Sequence, residues 1–266
     1  MTQTGWLTRN NLRLAVHCGG SEGPPLVFQH GLCGDARQVA EAMAGLAPQR
    51  WTCVECPGHG ASDMNPEPSI ASFSDHVAAL AETLGGPVVL GGISMGAAIA
   101  SRLAVTRPDL VRALVLVRPA WVTGSAPDNL APNAEVGALL ARLPADQAQA
   151  AFGDSATARN LAATAPDNLT SLKGFFTRAP LDATAHLLTA ISADGPGITP
   201  ADLAALSIPT LICATSDDAI HPVAHAEALA QMIPKARLVN LPPKGRDKPA
   251  YLAALNAAMT LFLKEI

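Results

Sequence analysis

The sequence predicts an α/β protein: a mostly parallel sheet covered by helices on both faces, with a helical cap inserted between two of its strands. Three observations carry that expectation. Short, continuously apolar runs alternate with helix-length, alanine-rich segments along most of the chain, as a sheet buried on both faces requires. The alternation stops over residues 121–206, a stretch rich in Ala, Pro, Asn and Asp. The length of 266 residues suits one α/β domain with an insertion.

The elements follow in order. Residues 12–18 (LRLAVHC) and 25–30 (PLVFQH) read as strands, followed by a helical stretch at 36–47. Residues 51–57 (WTCVECP) return to strand character before a second helix over 71–84. The run 87–94 (PVVLGGIS) leads into a helix from Ser94 to about Arg107, which stops before Pro108 because the residue preceding a proline is pushed out of the helical region. A strand at 112–120 (RALVLVRPA) comes next. Beyond the break, 208–215 (IPTLICAT) and 236–242 (ARLVNLP) are strands, and KPAYLAALNAAMTLFLKE fits a closing helix of period 3.6. Residues 1–120 and 207–266 therefore form the core and 121–206 the cap, with helical pieces at NAEVGALLARL and DATAHLLTAI. A plain loop of that length would be unusual.

Composition narrows the function. The 22 acidic and 18 basic residues give a net charge of −4 and are scattered along the chain. No basic arm or block suggests nucleic-acid binding. The polar start, MTQTGWLTRNNLRL, lacks a signal-peptide layout, and no apolar run reaches membrane-span length. A cytoplasmic protein with no membrane partner is the expectation. Five cysteines, an odd number, argue against a disulfide framework. Cys53 and Cys56 form a C-x-x-C without a second pair at zinc-site spacing, so buried thiols are expected, with no metal and no cofactor.

One serine stands out. In VVLGGISMGAAIA, Ser94 lies where an apolar strand meets a helix, with Gly92 and Gly96 two residues to either side. A sharp strand-to-helix turn forces strained backbone at the serine, and small flanking residues let the two segments approach. The hydroxyl then projects near the positive end of a helix dipole, and the Met95 N–H can face a developing oxyanion.

With this motif the chain resembles the α/β-hydrolase superfamily over nearly its full length. HGLCGD, from His30 to Asp35, is similar to that family's oxyanion loop, which implies the Leu32 N–H as second donor and His30 beside the substrate. CPGHGAS is similar to the family's P-G-x-G-x-S turn, where His59 reads as structural. TSDDAIHP matches an acid four residues before a proline, making Asp218 the catalytic acid and Asp217 the runner-up. The family's general-base histidine would follow the last strand, yet LPPKGRDKPAY carries Arg246 there. An arginine, always charged, cannot take the serine proton.

Candidates for the missing base are His221 and His225 on the acid's own loop, His186 in the cap, and Lys244. His221, three residues past Asp218, is the leading one. Arg118, at the end of a strand, and Arg246 are alternatively read as a pair of guanidinium groups for an anionic ligand. Trp121, Phe152, Phe175 and Phe176 are candidates for an apolar pocket wall. Two functions remain open. One is a serine hydrolase of a small ester, lactone or thioester with a non-standard base; the other is a ligand-binding or sensor protein on the same fold. Either way the partner is a small molecule, and the sequence is silent on oligomeric state.

Overall fold

A computed structural model describes residues 3–266 and arranges its strands as one eight-stranded sheet in the order β1-β2-β4-β3-β5-β6-β7-β8. The strands are β1 (Gln3–Arg9), β2 (Leu12–Gly19), β3 (Glu22–Gln29), β4 (Gln49–Val54), β5 (Val88–Ile93), β6 (Val111–Val117), β7 (Thr210–Thr215) and β8 (Ala236–Leu241). β1 and β2 pair antiparallel, β2 joins β4 antiparallel, and every later pairing is parallel. The expected strands are all present. β1 is an addition: its run QTGWLTR is half polar, and its pairing to β2 places Leu7 opposite Leu14 at the sheet's edge.

The helices are α1 (Ala36–Met43), α2 (Ile70–Glu82), α3 (Met95–Thr106), α4 (Ala131–Leu140), α5 (Ala145–Gly153), α6 (Ala156–Thr164), α7 (Pro166–Gly174), α8 (Leu181–Ala193), α9 (Pro200–Ala204), α10 (Val223–Met232) and α11 (Lys248–Glu265). Alternate strand residues face opposite layers, as the two-residue period requires. Leu90, Leu114, Leu116 and Ile212 pack with α2, α3 and α10. Val89, Ala113, Val115 and Leu211 pack with α1 and α11 on the other face. Burial on both faces explains why these strands read as unbroken apolar runs.

The helices from α4 to α9 all lie between β6 and β7. Val136, Phe152, Leu161, Leu172 and Phe176 form a separate apolar cluster within that segment. Phe152 and Phe176 are tilted against each other at 5.8 Å, so they serve that cluster rather than a ligand pocket.

Strand order reverses around β3, whose neighbours are β4 on one side and β5 on the other. The loops leaving β3 and β5 diverge there and open a crevice at the carboxyl ends of the strands, the usual place for a ligand in such sheets. Among the described residues no helix is long and apolar enough to cross a membrane. None of the five cysteines is in a disulfide, and Cys53, Cys56 and Cys213 are buried.

Candidate active site

Ser94 occupies the turn between β5 and α3 with φ 58° and ψ −111°. That left-handed backbone costs a non-glycine residue about 1–3 kcal/mol and persists only where its surroundings impose it. The Ser94 N–H donates to the Val117 carbonyl at 3.0 Å, which ties the turn to β6. A Cβ on Gly92 would come 2.5 Å from the Gly96 backbone, and one on Gly96 would come 2.5 Å from the Gln29 carbonyl oxygen. Only glycine fits at either position. Serine is a preferred helix cap, yet this hydroxyl does not cap α3. Ser94 instead lines a cavity of about 230 Å³.

The loop after β3 forms one wall of that cavity. The Gly31 N–H donates to Gln38 Oε1 at 2.7 Å, the Cys33 N–H to His59 Nε2 at 3.0 Å, and the Gly34 N–H to the Gly31 carbonyl at 2.9 Å. Arg178 Nε holds the Cys33 carbonyl at 3.0 Å. Three of four consecutive N–H groups are thus committed, and the remaining one belongs to Leu32, which lines the cavity. Met95 is fully buried, and its backbone N–H sits at the first position of α3.

His30 is placed differently from the expectation. It is fully buried, does not line the cavity, and uses both ring nitrogens inside the protein. Its Nε2 accepts from the Cys56 N–H at 3.1 Å, and its Nδ1 donates to the Gly31 carbonyl at 2.9 Å. It braces the loop and is out of a substrate's reach. His59 is braced likewise, donating from Nδ1 to the Pro57 carbonyl at 3.0 Å. The two rings lie 4.7 Å apart. Burial holds both imidazoles below their ordinary pKa, so neither carries charge near neutral pH.

On the opposite wall, β7 delivers Asp218 and His221. His221 Nδ1 lies 2.9 Å from Asp218 Oδ1, and its ring lines the same cavity as Ser94. Its Nε2 is buried without a hydrogen-bond partner. Asp218 Oδ1 also accepts from Asn168 Nδ2 at 3.0 Å and from the His221 N–H at 3.1 Å. Oδ2 accepts from Arg118 Nε at 2.7 Å. Burial alone would raise the Asp218 pKa, but the cationic and donor groups of His221, Arg118 and Asn168 outweigh it and hold the carboxyl far below its usual range. For His221 burial is the largest influence and lowers the pKa; Asp218 opposes it, and Arg118 adds to it.

Arg118 lines the same cavity and also binds this pair. Its Nη2 lies 3.1 Å from His221 Nδ1, so that one nitrogen faces a carboxylate and a guanidinium together. The two arginines read as an anion site are not brought together. The Arg246 side chain is 75% exposed, pairs with Asp217 at 2.6 Å, and does not line the cavity. Its loop turns back on itself, the Arg246 N–H bonding to the Pro243 carbonyl at 3.0 Å, which leaves the guanidinium at the surface.

The remaining candidates divide clearly. Lys244 lines the cavity, but its Nζ is held by Asp167 at 2.7 Å. His225 donates to the Ala120 carbonyl at 3.1 Å, and His186 to the Pro66 carbonyl at 2.9 Å. Neither lines the cavity. Trp121 and Phe175 do line it, and Trp121 donates its indole N–H to the Asp194 carbonyl at 2.9 Å, leaving an apolar ring for a ligand.

Asn168, Gln38, Asn133 and Arg178 were not expected at the site. Asn168 clasps the acid loop twice, donating to Asp218 and accepting from the Ala219 N–H at 2.7 Å. It lies fifty residues before the groups it holds, so no local motif could announce it. Among the described residues no group of three or more His, Cys, Asp or Glu side chains is placed to hold a metal ion.

A family model described as alpha/beta hydrolase fold matches residues 24–247. RutD of Pseudomonas savastanoi pv. phaseolicola, a carbamate hydrolase by name, is 29% identical over 232 residues, covering 84% of this chain and 87% of that protein. The sn-1-specific diacylglycerol lipase ABHD11 of Mus musculus is 34% identical over 131 residues, or 48% of this chain; the match spans 41% of that relative's length. In three dimensions, a thermophilic esterase from Thermogutta terrifontis superposes with a TM-score of 0.76 at 23% identity, covering 99% of this chain and 98% of that one. With the family model matching from β3 to the start of the last helix, on a parallel sheet of this order, the chain belongs to the alpha/beta hydrolase fold family.

Proposed function

We propose that the protein is a serine hydrolase acting on a small ester, lactone or thioester, with His221 replacing the histidine that Arg246 displaces. Ser94 Oγ attacks the acyl carbon and passes its proton to His221 Nε2. The Leu32 and Met95 N–H groups receive the oxyanion. The imidazolium then protonates the leaving alkoxide or thiolate. Water, deprotonated by His221, opens the acyl-enzyme to release the acid and restore Ser94. Asp218 orients the ring and stabilises its cation. Residues 121–206 act as a cap that shields the cavity. The named relatives hydrolyse acyl or carbamoyl groups, which supports the reaction class.

One observation carries this reading. Ser94 and an imidazole already held by a carboxylate line the same cavity, and that imidazole's far nitrogen is free of protein partners. A fluorophosphonate probe followed by intact-mass analysis tests it: one adduct is expected, lost in Ser94→Ala. No labelling at any pH between about 6 and 9, a range that spans the ordinary titration of histidine, would overturn the hydrolase reading.

A second reading rests on Arg118. If Nδ1 of His221 accepts from the guanidinium, the ring hydrogen sits on Nε2 and the serine proton has nowhere to go. The protein would then bind its ligand without turning it over. Absence of labelling together with tight retention of a small molecule is the result this second reading expects.

A further inference from the structure

The cavity wall includes a buried polar side chain that neither the catalytic reading nor the protein's own packing uses. Asn133, on α4, is 6% exposed, lines the cavity with Ser94 and His221, and its Oδ1 is buried without a hydrogen-bond partner. Apolar side chains in the same wall include Leu130 and Leu172, and the Trp121 indole N–H is already given to the Asp194 carbonyl. Of the other polar side chains in the wall, Gln38 Oε1 accepts from Gly31, Asn168 and Arg118 donate to Asp218, Lys244 pairs with Asp167, and Ser171 is exposed.

An unpartnered buried amide costs about 1–3 kcal/mol, whereas leucine has nearly the same shape and no such penalty. No protein group satisfies this amide oxygen, and a ligand in the cavity could do so. An orphaned carbonyl oxygen calls for an N–H or O–H on that ligand. Size limits it further. About 230 Å³ corresponds to roughly eight water volumes at ~30 Å³ each, which leaves room for a short group beside the scissile bond.

We infer that Asn133 is a specificity-determining residue whose carboxamide binds a hydroxyl or amide N–H on the substrate. The preferred substrates are then small esters carrying such a donor rather than plain alkanoate esters. This rests on the reading of the cavity as the ester site.

The test compares donors with shape-matched methyl analogues. On the acyl side the pair is 4-nitrophenyl 2-hydroxypropanoate and 4-nitrophenyl 2-methylpropanoate. On the alcohol side it is 2-hydroxyethyl butanoate and propyl butanoate. Wild type should favour the donor-bearing ester in kcat/KM by at least about 5-fold in one pair, the factor that one well-made buried hydrogen bond supplies. Asn133→Leu should abolish that preference, and its melting temperature should equal or exceed wild type because the unpaired amide is gone. Asn133→Ala serves if the leucine fails to fold.

Calorimetry with 3-hydroxybutan-2-one and 3-methylbutan-2-one, ketones that differ only in that hydroxyl, repeats the comparison without turnover. Failure of the hydrolase reading, seen as no Ser94 labelling, is therefore distinguishable from failure of this one. No preference for a donor in any arm, or a preference that survives Asn133→Leu, overturns it.

Discussion

The two sides of Ser94 are constructed on opposite principles. On the oxyanion side, the loop after β3 commits the N–H groups of Gly31, Cys33 and Gly34 and leaves that of Leu32. Each bond has one donor and one acceptor, so a single arrangement satisfies them all. On the acid–base side, Asp218 is gripped by His221, Asn168 and Arg118 together, while His221 Nδ1 meets a carboxylate and a guanidinium at similar distances. The carboxylate and the guanidinium call for opposite tautomers of that ring. In the proposed reaction the oxyanion donors are fixed by geometry, whereas proton transfer depends on which tautomer the cluster selects.

The largest expected effect breaks the acid–base side. His221→Ala should lower kcat/KM by about 10³-fold or more, the scale of losing a general base. Lys244→Ala should leave most activity, because that amine is held by Asp167. A reversed ranking in steady-state ester hydrolysis would transfer the role to Lys244. The pH profile sharpens the point. A base must be neutral to accept a proton, and the His221 pKa lies below its ordinary 6.5. Activity should therefore hold down to 6.5 and fall at lower pH as the ring protonates.

An intermediate effect is expected on the oxyanion side. Gln38→Leu removes the acceptor that fixes the Gly31 N–H. Loosening the loop should reduce kcat about 10-fold with little change in KM, less than the 10²–10³ for deleting an oxyanion donor outright. A large rise in KM with kcat intact would instead make Gln38 a ligand contact.

Much of this contrast is legible in the sequence, and the exceptions share a cause. Ser94, Leu32 and Asp218 are announced by short motifs because a strand-to-helix turn, a loop and an acid-bearing turn are local objects. His221 is readable for the same reason, lying three residues from its acid. His30 misleads because its motif fixes the loop, while burial, visible only in the folded chain, decides what its ring does. Asn133, Asn168 and Arg178 come from a segment without motifs and act on residues far away in sequence. β1 escapes notice because an edge strand with a half-polar pattern lacks the continuous apolar run of its buried neighbours.

The smallest effect concerns the residue that first drew suspicion. Arg246→His restores the family's usual residue type, yet the side chain is 75% exposed and pairs with Asp217 across open surface. Activity should change by less than about 2-fold and stability by under about 0.5 kcal/mol, as for other exposed pairs. A gain in rate of tenfold or more would show that the loop after β8 can swing into the cavity.

One guanidinium has a consequence for anyone who would rebuild this protein. Arg178 donates to the Cys33 carbonyl at 3.0 Å, to the Gly58 carbonyl at 3.0 Å and to Thr184 Oγ1 at 2.8 Å. It is a single latch joining the loop beside the nucleophile, the turn after β4 and the helices above them. Those helices are therefore no detachable module. A graft from a relative that omits an equivalent arginine would strip Cys33 of its outer tether and loosen the loop after β3, however well the new pocket suited its ligand.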